Sequence, residues 1–245
     1  GFVYYDAQME DEQLVFANIQ AGTDLGLTAL QECECLGFIQ STDQVTGINV
    51  SYQDKTHSVY GRCILNASGP WVDRVANLST LEPISPYLSP TKGVHIVIPS
   101  LGLIQALILE SPLDGRIFFI IPWKGKTLIG TTDTPFDGNP DDVTTHQDDI
   151  DYLINSANFY LQHHSISKSD IVDTFAGLRP LQYSTKYSSN RSRDFSLVRS
   201  KDHLFHLFGG KYTSYRYIAE VVVNDLVKEC DLSCSASCKT HLTPL

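Results

Sequence analysis

The chain has 245 residues, 42% of them apolar and 19% charged, which is enough to bury a substantial core. Its 11 Phe and 12 Tyr, set in recurring apolar runs, exclude a disordered chain, and its 16 Gly and 11 Pro exclude collagen-like or low-complexity sequence. With 18 basic against 28 acidic side chains the net charge is −10, the wrong sign for a protein that binds a nucleic-acid duplex.

The elements can be read in chain order. Val3-Tyr4-Tyr5 reads as a short strand. A helix is expected from Asp6, with Leu14, Val15, Ala17, Asn18, Ala21 and Leu25 near one face and Glu10, Asp11 and Glu12 at its N-terminal part, the positive end of its dipole. Strands at 34–40, 45–52 and 56–60, joined by polar turns, predict an antiparallel meander. The run Cys63-Ile64-Leu65-Asn66-Ala67 reads as a strand buried on both faces. Ser68-Gly69-Pro70-Trp71 follows and opens a helix through Val72, Val75 and Leu78, with Pro70 in its first turn. Three prolines between Leu81 and Pro90 mark a boundary between layers or domains.

Beyond that boundary, strands are expected at 94–99, 107–110, 117–123 and 127–130, with a polar loop at 137–145. The stretch from Val94 to Leu109 is apolar, but His95, Pro99, Ser100 and Gln105 break it. It falls short of the roughly 18–20 unbroken apolar residues of a membrane-spanning helix. Residues 146–162 have helical spacing through Ile150, Leu153, Ile154, Ala157 and Leu161. Strands at 171–175, 195–198 and 203–208 lead to Gly209-Gly210. A long helix follows, whose apolar face (Ile218, Ala219, Val222, Val223, Leu226, Val227) is expected to pack on a sheet.

The cysteines are weak signals. Cys33 and Cys35 would share a strand face as a buried pair, and Cys230, Cys234 and Cys238 would form one stripe on a helix. A metal site at the last three is set against the plainer reading of reduced, incidental thiols in an intracellular protein. The chain opens on Gly1 with no signal-peptide pattern and reads as a piece of something longer.

Four polar clusters interrupt apolar runs. Gly209-Gly210-Lys211, between a strand and a helix start, can admit a negative group to free helix amides, with Thr213 and Ser214 as further donors; a tight turn with a surface lysine is the competing reading. Lys92-Gly93-Val94-His95 places a histidine at a strand start, as a general base or as a structural residue. Gly177-Leu178-Arg179-Pro180 holds an arginine whose fork suits a carboxylate or phosphate, and Gly130-Thr131-Thr132-Asp133 supplies hydroxyls just past a strand. Arg191 and Arg193 form a second basic pair, which the residues alone would leave solvated. The sequence contains no GxGxxG, Walker A or GxSxG pattern.

Taken in order, eight segments resemble the FAD-dependent glycerol-3-phosphate dehydrogenase family. They are Tyr4-Tyr5-Asp6-Ala7-Gln8 with Asp11; Asn66-Ala67-Ser68-Gly69-Pro70-Trp71-Val72-Asp73; Lys92-Gly93-Val94-His95; Asp114-Gly115-Arg116 through Ile121-Pro122-Trp123; Leu128 through Asp133; Gly177 through Leu181; Arg193-Asp194; and Gly209 through Arg216. The last is close to the family's GGKxTTYR, with Ser214 for the second threonine. The resemblance runs to about Lys228 and implies a mixed α/β fold of the glycine-oxidase type, a partial Rossmann-like FAD domain interleaved with a mixed or antiparallel-sheet substrate domain. On that reading residues 1–80 and 196–229 belong to the FAD domain, 81–195 to the substrate domain, and 230–245 lead toward a further C-terminal domain.

The resemblance also implies FAD as cofactor and oxidation of sn-glycerol 3-phosphate to dihydroxyacetone phosphate, with electrons passed to a membrane quinone. His95 and Arg179 are the expected catalytic residues, and Arg179, Arg193 and Lys211 the substrate contacts. Ala67, Ser68, Gly69, Trp71, Gly130, Thr131, Gly210, Lys211, Tyr212 and Thr213 are the expected cofactor contacts, and no metal is expected. A homo-oligomer is implied for the complete protein, associated peripherally with the cytoplasmic face of a bacterial inner membrane or with the mitochondrial inner membrane. Two alternatives are a related flavin amine or amino-acid oxidase and a non-catalytic remnant.

Overall fold

The computed structural model describes residues 1–79, 86–161, 165–183, 194–234 and 236–245. These residues form two compact units, one of residues 1–64 and 213–245 and the other of residues 65–212. Residues 65–79 and 196–212 belong to the same compact unit as the central strands.

In the first unit, residues 1–10 carry no regular structure, and Phe2, Val3, Tyr4 and Tyr5 are exposed. The expected first strand does not form, because no neighbouring strand among the described residues takes up its backbone hydrogen bonds. Helix α1 (Asp11–Asp24) starts later than Asp6, with Asp11 and Glu12 in its first turn, and it buries no side chain. Leu25 and Gly26 close it, Gly26 at φ +99°. Strands β1 (Glu34–Ser41), β2 (Gln44–Tyr52) and β3 (Lys55–Tyr60) make the expected antiparallel meander. Gln53 and Asp54, both at positive φ, form its second turn, the conformation that matches strand twist in a two-residue hairpin. Cys33 and Cys35 are free and only partly buried.

The second unit starts with β4 (Leu65–Asn66), shorter than the five-residue strand expected. A 3-10 turn at Gly69–Trp71 with Pro70 inside it leads into α2 (Val72–Ala76). Strands β5 (Thr91–Pro99), β6 (Leu107–Glu110), β7 (Ile117–Trp123), β8 (Lys126–Gly130) and β9 (Thr134–Pro135) precede α3 (Gln147–Tyr160) and β10 (Asp173–Arg179). The strand order is β10-β5-β8-β7-β6, every pair antiparallel, with β9 also on β5. Then β11 (Phe195–Arg199) pairs antiparallel with β12 (Phe205–Gly209), and β12 runs parallel to β4.

One face of the larger sheet packs on α3. Val94, Ile96 and Ile98 of β5 meet Phe118, Ile120, Ile129, Leu153, Ile154 and Ala157 in the main core. Lys92, on the same face, places Nζ 2.6 Å from Asp149 Oδ2 of α3, and both side chains are buried. The alternate residues of β5 (Gly93, His95) lie on the other face, as strand pleating requires. Thr91 shares that face, and its fully buried hydroxyl has no hydrogen-bond partner among the described residues. Because an unsatisfied buried hydroxyl destabilises a fold, Thr91→Val is expected to add about 1 kcal/mol, measured by urea unfolding.

The chain returns to the first unit with α4 (Tyr215–Glu229). Only Val222 of α4 is buried and Val223 is exposed, so the expected burial against a sheet does not occur among the described residues. Since α4 ends at Glu229, Cys230, Cys234 and Cys238 do not share a helix, and no group of metal ligands is present among the described residues. No described helix is long and apolar enough to cross a membrane.

Candidate active site

His95 lies in the middle of β5, not at its start, because the strand begins at Thr91. Its cross-strand partners are Phe175 on β10 and Gly130 on β8. The Phe175 ring stacks on the imidazole with centroids 4.9 Å apart and planes 18° from parallel, and Trp123 stands 6.5 Å from Phe175. Gly130 leaves the space the imidazole fills: a Cβ there would come within 2.2 Å of His95 Cδ2. Any larger residue at 130 would therefore drive the ring off its seat.

Arg179 closes β10 on the same face. It donates from Nη2 to Thr131 Oγ1 (2.9 Å) and to the Thr132 carbonyl (3.1 Å), and from Nη1 to Asp133 Oδ1 (3.3 Å). The Thr131–Asp133 turn is held in its own right: Thr132 Oγ1 accepts from the Val94 amide at 3.0 Å, and the Asp133 carbonyl accepts from Arg116. Strand β10 runs further than the sequence pattern indicated, through Gly177 to Arg179, and this puts Phe175, Gly177 and Arg179 on one face. Exposed Ile108, Ile117 and Phe175 widen that face into an open apolar surface.

Glycine turns also follow the ends of the parallel strands β4 and β12. Gly69 has φ +57°, Gly209 +74° and Gly210 +85°. Gly209 has to be glycine for a second reason, since a Cβ would lie 2.5 Å from the Asp194 carbonyl. That carbonyl accepts from the Gly210 amide (3.0 Å) and from Gln182 Nε2 (2.7 Å), so the turn is tied to a residue only three beyond Arg179. Two parallel strands whose carboxyl ends run into positive-φ glycines let a ligand approach the backbone, and these turns fit a bound dinucleotide at that end of the sheet. Tyr212 is partly exposed and Thr213 lies across the division between the two units. Arg191 and Arg193 lie outside the described residues.

The Ala67–Trp71 turn is pinned from both sides. Asn66 accepts from the Ser68 hydroxyl (2.6 Å), donates to the Val72 carbonyl (2.9 Å), and lies 3.1 Å from His206 Nδ1. Trp71 Nε1 donates to Asp141 Oδ1 at 2.7 Å and Arg74 pairs with the other Asp141 oxygen at 2.5 Å. The hydrogen bond from Trp71, then that from Arg74, holds the Asp141 carboxyl below the usual carboxylate range. The sequence reading missed Phe175, Trp123, Asn66 and Asp141 as parts of the site. Of these, Phe175 was within reach, because strand alternation back from Arg179 through Gly177 lands on it.

His206 is fully buried, and burial pushes its pKa below the ordinary histidine value against the opposing pull of Asp202 and Asp73. The unfolded chain therefore takes up the proton first, and stability falls as the pH drops below about 6.5. We expect His206→Thr to flatten this dependence, measured as urea unfolding at pH 7.5 and 5.5, as roughly chosen to straddle the unfolded-state histidine value.

Residues 1–223 match the sequence profile of the FAD dependent oxidoreductase family, and the chain belongs to that family. It is 33% identical over 253 residues to the aerobic glycerol-3-phosphate dehydrogenase of Staphylococcus saprophyticus, covering 99% of this chain and 45% of that protein. Among solved structures, the glycerol-3-phosphate dehydrogenase of Bacillus halodurans complexed with FAD superposes with a TM-score of 0.85 at 29% identity, over 94% of this chain and 45% of that one. Glycine oxidase from Bacillus cereus has the same fold, with a TM-score of 0.58 at 18% identity over 86% and 55% of the two chains. The fold is thus the mixed α/β flavoprotein type, and the chain spans about 45% of the length of the dehydrogenases it matches.

Proposed function

We propose that this chain is the central part of a flavoprotein that oxidises sn-glycerol 3-phosphate at C2 to dihydroxyacetone phosphate and passes the electrons to a quinone at a membrane surface. The observation that carries the reading is the convergence of His95 and Arg179 on one open, aromatic-lined sheet face. FAD, when bound, supplies the acceptor for the hydride from C2. The positive-φ glycines at 69, 209 and 210 fit it, and Ala67, Ser68, Trp71, Gly130, Thr131, Lys211 and Tyr212 are its further proposed contacts.

His95 takes the C2 hydroxyl proton on a ring nitrogen as the hydride leaves, and Gly130 and Phe175 fix the plane in which that nitrogen is offered. Arg179 holds the substrate oxygens against this base, and Arg193 and Lys211 add positive charge. Such local cations are needed because a net charge of −10 opposes the approach of a phosphate ester. Trp123 and Phe175 present apolar surface beside His95, which limits water at the reacting carbon.

The test uses the full-length protein that carries this chain, reconstituted with FAD. Anaerobic glycerol 3-phosphate should bleach the flavin and yield dihydroxyacetone phosphate, and a quinone analogue should restore the colour faster than oxygen does. Bleaching by glycine with none by glycerol 3-phosphate would instead establish an amine oxidase.

A further inference from the structure

We infer that Gly93 and Asp133 form a preset seat for Arg179, which makes both of them positioning residues for the substrate-binding guanidinium. The inference rests on the glycerol 3-phosphate reading and names two residues through which that site acts. A bare arginine at the end of a strand samples many rotamers, and each one lost on binding costs affinity. Here the cost is met in advance. Arg179 is anchored at three acceptors within 3.3 Å, all drawn from residues 131–133. Its Asp133 counter-charge is itself oriented, because the Asp133 main chain accepts from Arg116, and Arg116 pairs with Asp114 at 3.4 Å. Asp114, Arg116, Asp133 and Arg179 are thus linked one to the next, the middle link running through the Asp133 carbonyl.

Gly93 completes the seat by lacking a side chain. A Cβ at 93 would stand 2.6 Å from Arg179 Nη2, 2.8 Å from Arg179 Cζ and 2.7 Å from Thr131 Oγ1. All three are side-chain atoms, two of them at the far end of a flexible arginine. Gly93 is not among the residues at positive φ, so alanine is compatible with its backbone. Gly93→Ala therefore displaces the guanidinium with little cost to the fold, which separates placement from stability. Asp133→Asn is the complementary change, keeping shape and removing charge.

Both variants are tested in the FAD-loaded full-length protein. An ångström-scale misplacement of a binding group costs up to about 10²-fold, so Gly93→Ala and Asp133→Asn are each expected to raise KM for glycerol 3-phosphate at least about tenfold. The same displacement should weaken inorganic phosphate binding by a matching factor, read by calorimetry. Flavin content and melting temperature should stay at the parent values, and Asp133→Glu should recover part of the loss. Because the residues act through Arg179, adding Gly93→Ala to Arg179→Lys should change KM by less than about twofold. Unchanged KM and phosphate affinity in both single variants overturn the inference, as does loss of flavin and fold in both, or full additivity with Arg179→Lys. If the parent protein does not oxidise glycerol 3-phosphate, the functional reading fails; the seat is then judged on phosphate binding alone, and binding indifferent to Gly93, Asp133 and Arg179 overturns it.

Discussion

Arg179→Ala in the full-length protein is expected to raise KM for glycerol 3-phosphate by about 10²-fold, because removing the cation that meets the substrate's anionic oxygens leaves them without their charged partner, a loss of about 2–5 kcal/mol of binding. The Arg179 side chain is 29% exposed and its Asp133 partner 22%, so water screens the pair incompletely. The variant also leaves Thr131 Oγ1, the Thr132 carbonyl and Asp133 without the donor they share. Arg179→Lys should recover little, since one ammonium cannot span acceptors that a planar fork meets together. Free guanidinium added to the alanine variant should restore part of the rate. Steady-state kinetics with and without guanidinium check this, and unchanged kinetics in Arg179→Ala would remove the residue from the site.

The largest loss of stability is expected from Asp149→Ala. Lys92 and Asp149 are 7% and 5% exposed and 2.6 Å apart, and Lys92 also donates to the Thr144 carbonyl at 3.3 Å. Asp149 Oδ2 accepts from the His146 amide at 2.9 Å, so it caps α3 as well as pairing with the lysine. Removing it strands a buried ammonium, a change that costs about 3–5 kcal/mol. For a unit of this size that is a melting-temperature drop of the order of 10 °C. Replacing both residues by apolar ones of similar volume, Lys92→Met with Asp149→Leu, should cost much less, because no buried charge is left behind. Thermal unfolding of the two variants checks this, and equal losses would show that the α3 cap, and not the ion pair, carries the effect.

The strands of the larger sheet were legible because their apolar runs are bounded by turn residues. Residues 94–99, 107–110, 117–123 and 127–130 all fall within β5 to β8. The meander was legible for the same reason. The run at Val3-Tyr4-Tyr5 misled because apolarity marks a wish for burial, and a strand needs a paired neighbour as well as an apolar sequence. The apolar stripe of α4 misled in the same way. His95, Arg179, Gly130 and Thr131 could be named from local composition, but their meeting depends on antiparallel register, which pairs Phe175 with His95 across 80 residues of chain. The clip between Trp71 and Asp141 was invisible, since it joins residues 70 apart whose sequence surroundings carry no shared pattern.

Strand β5 carries two kinds of information on alternate residues. Lys92, Val94, Ile96 and Ile98 face α3, whereas Gly93 and His95 face the open side. Neighbouring residues thus meet different physical demands. A change at an even position alters how much folded protein the cell holds, and a change at 93 or 95 alters what each folded molecule does. A lineage could retune the chemistry at 93 and 95 without first acquiring compensating mutations in the core. An insertion of one residue in this strand, by contrast, would exchange the two scripts and destroy both at once.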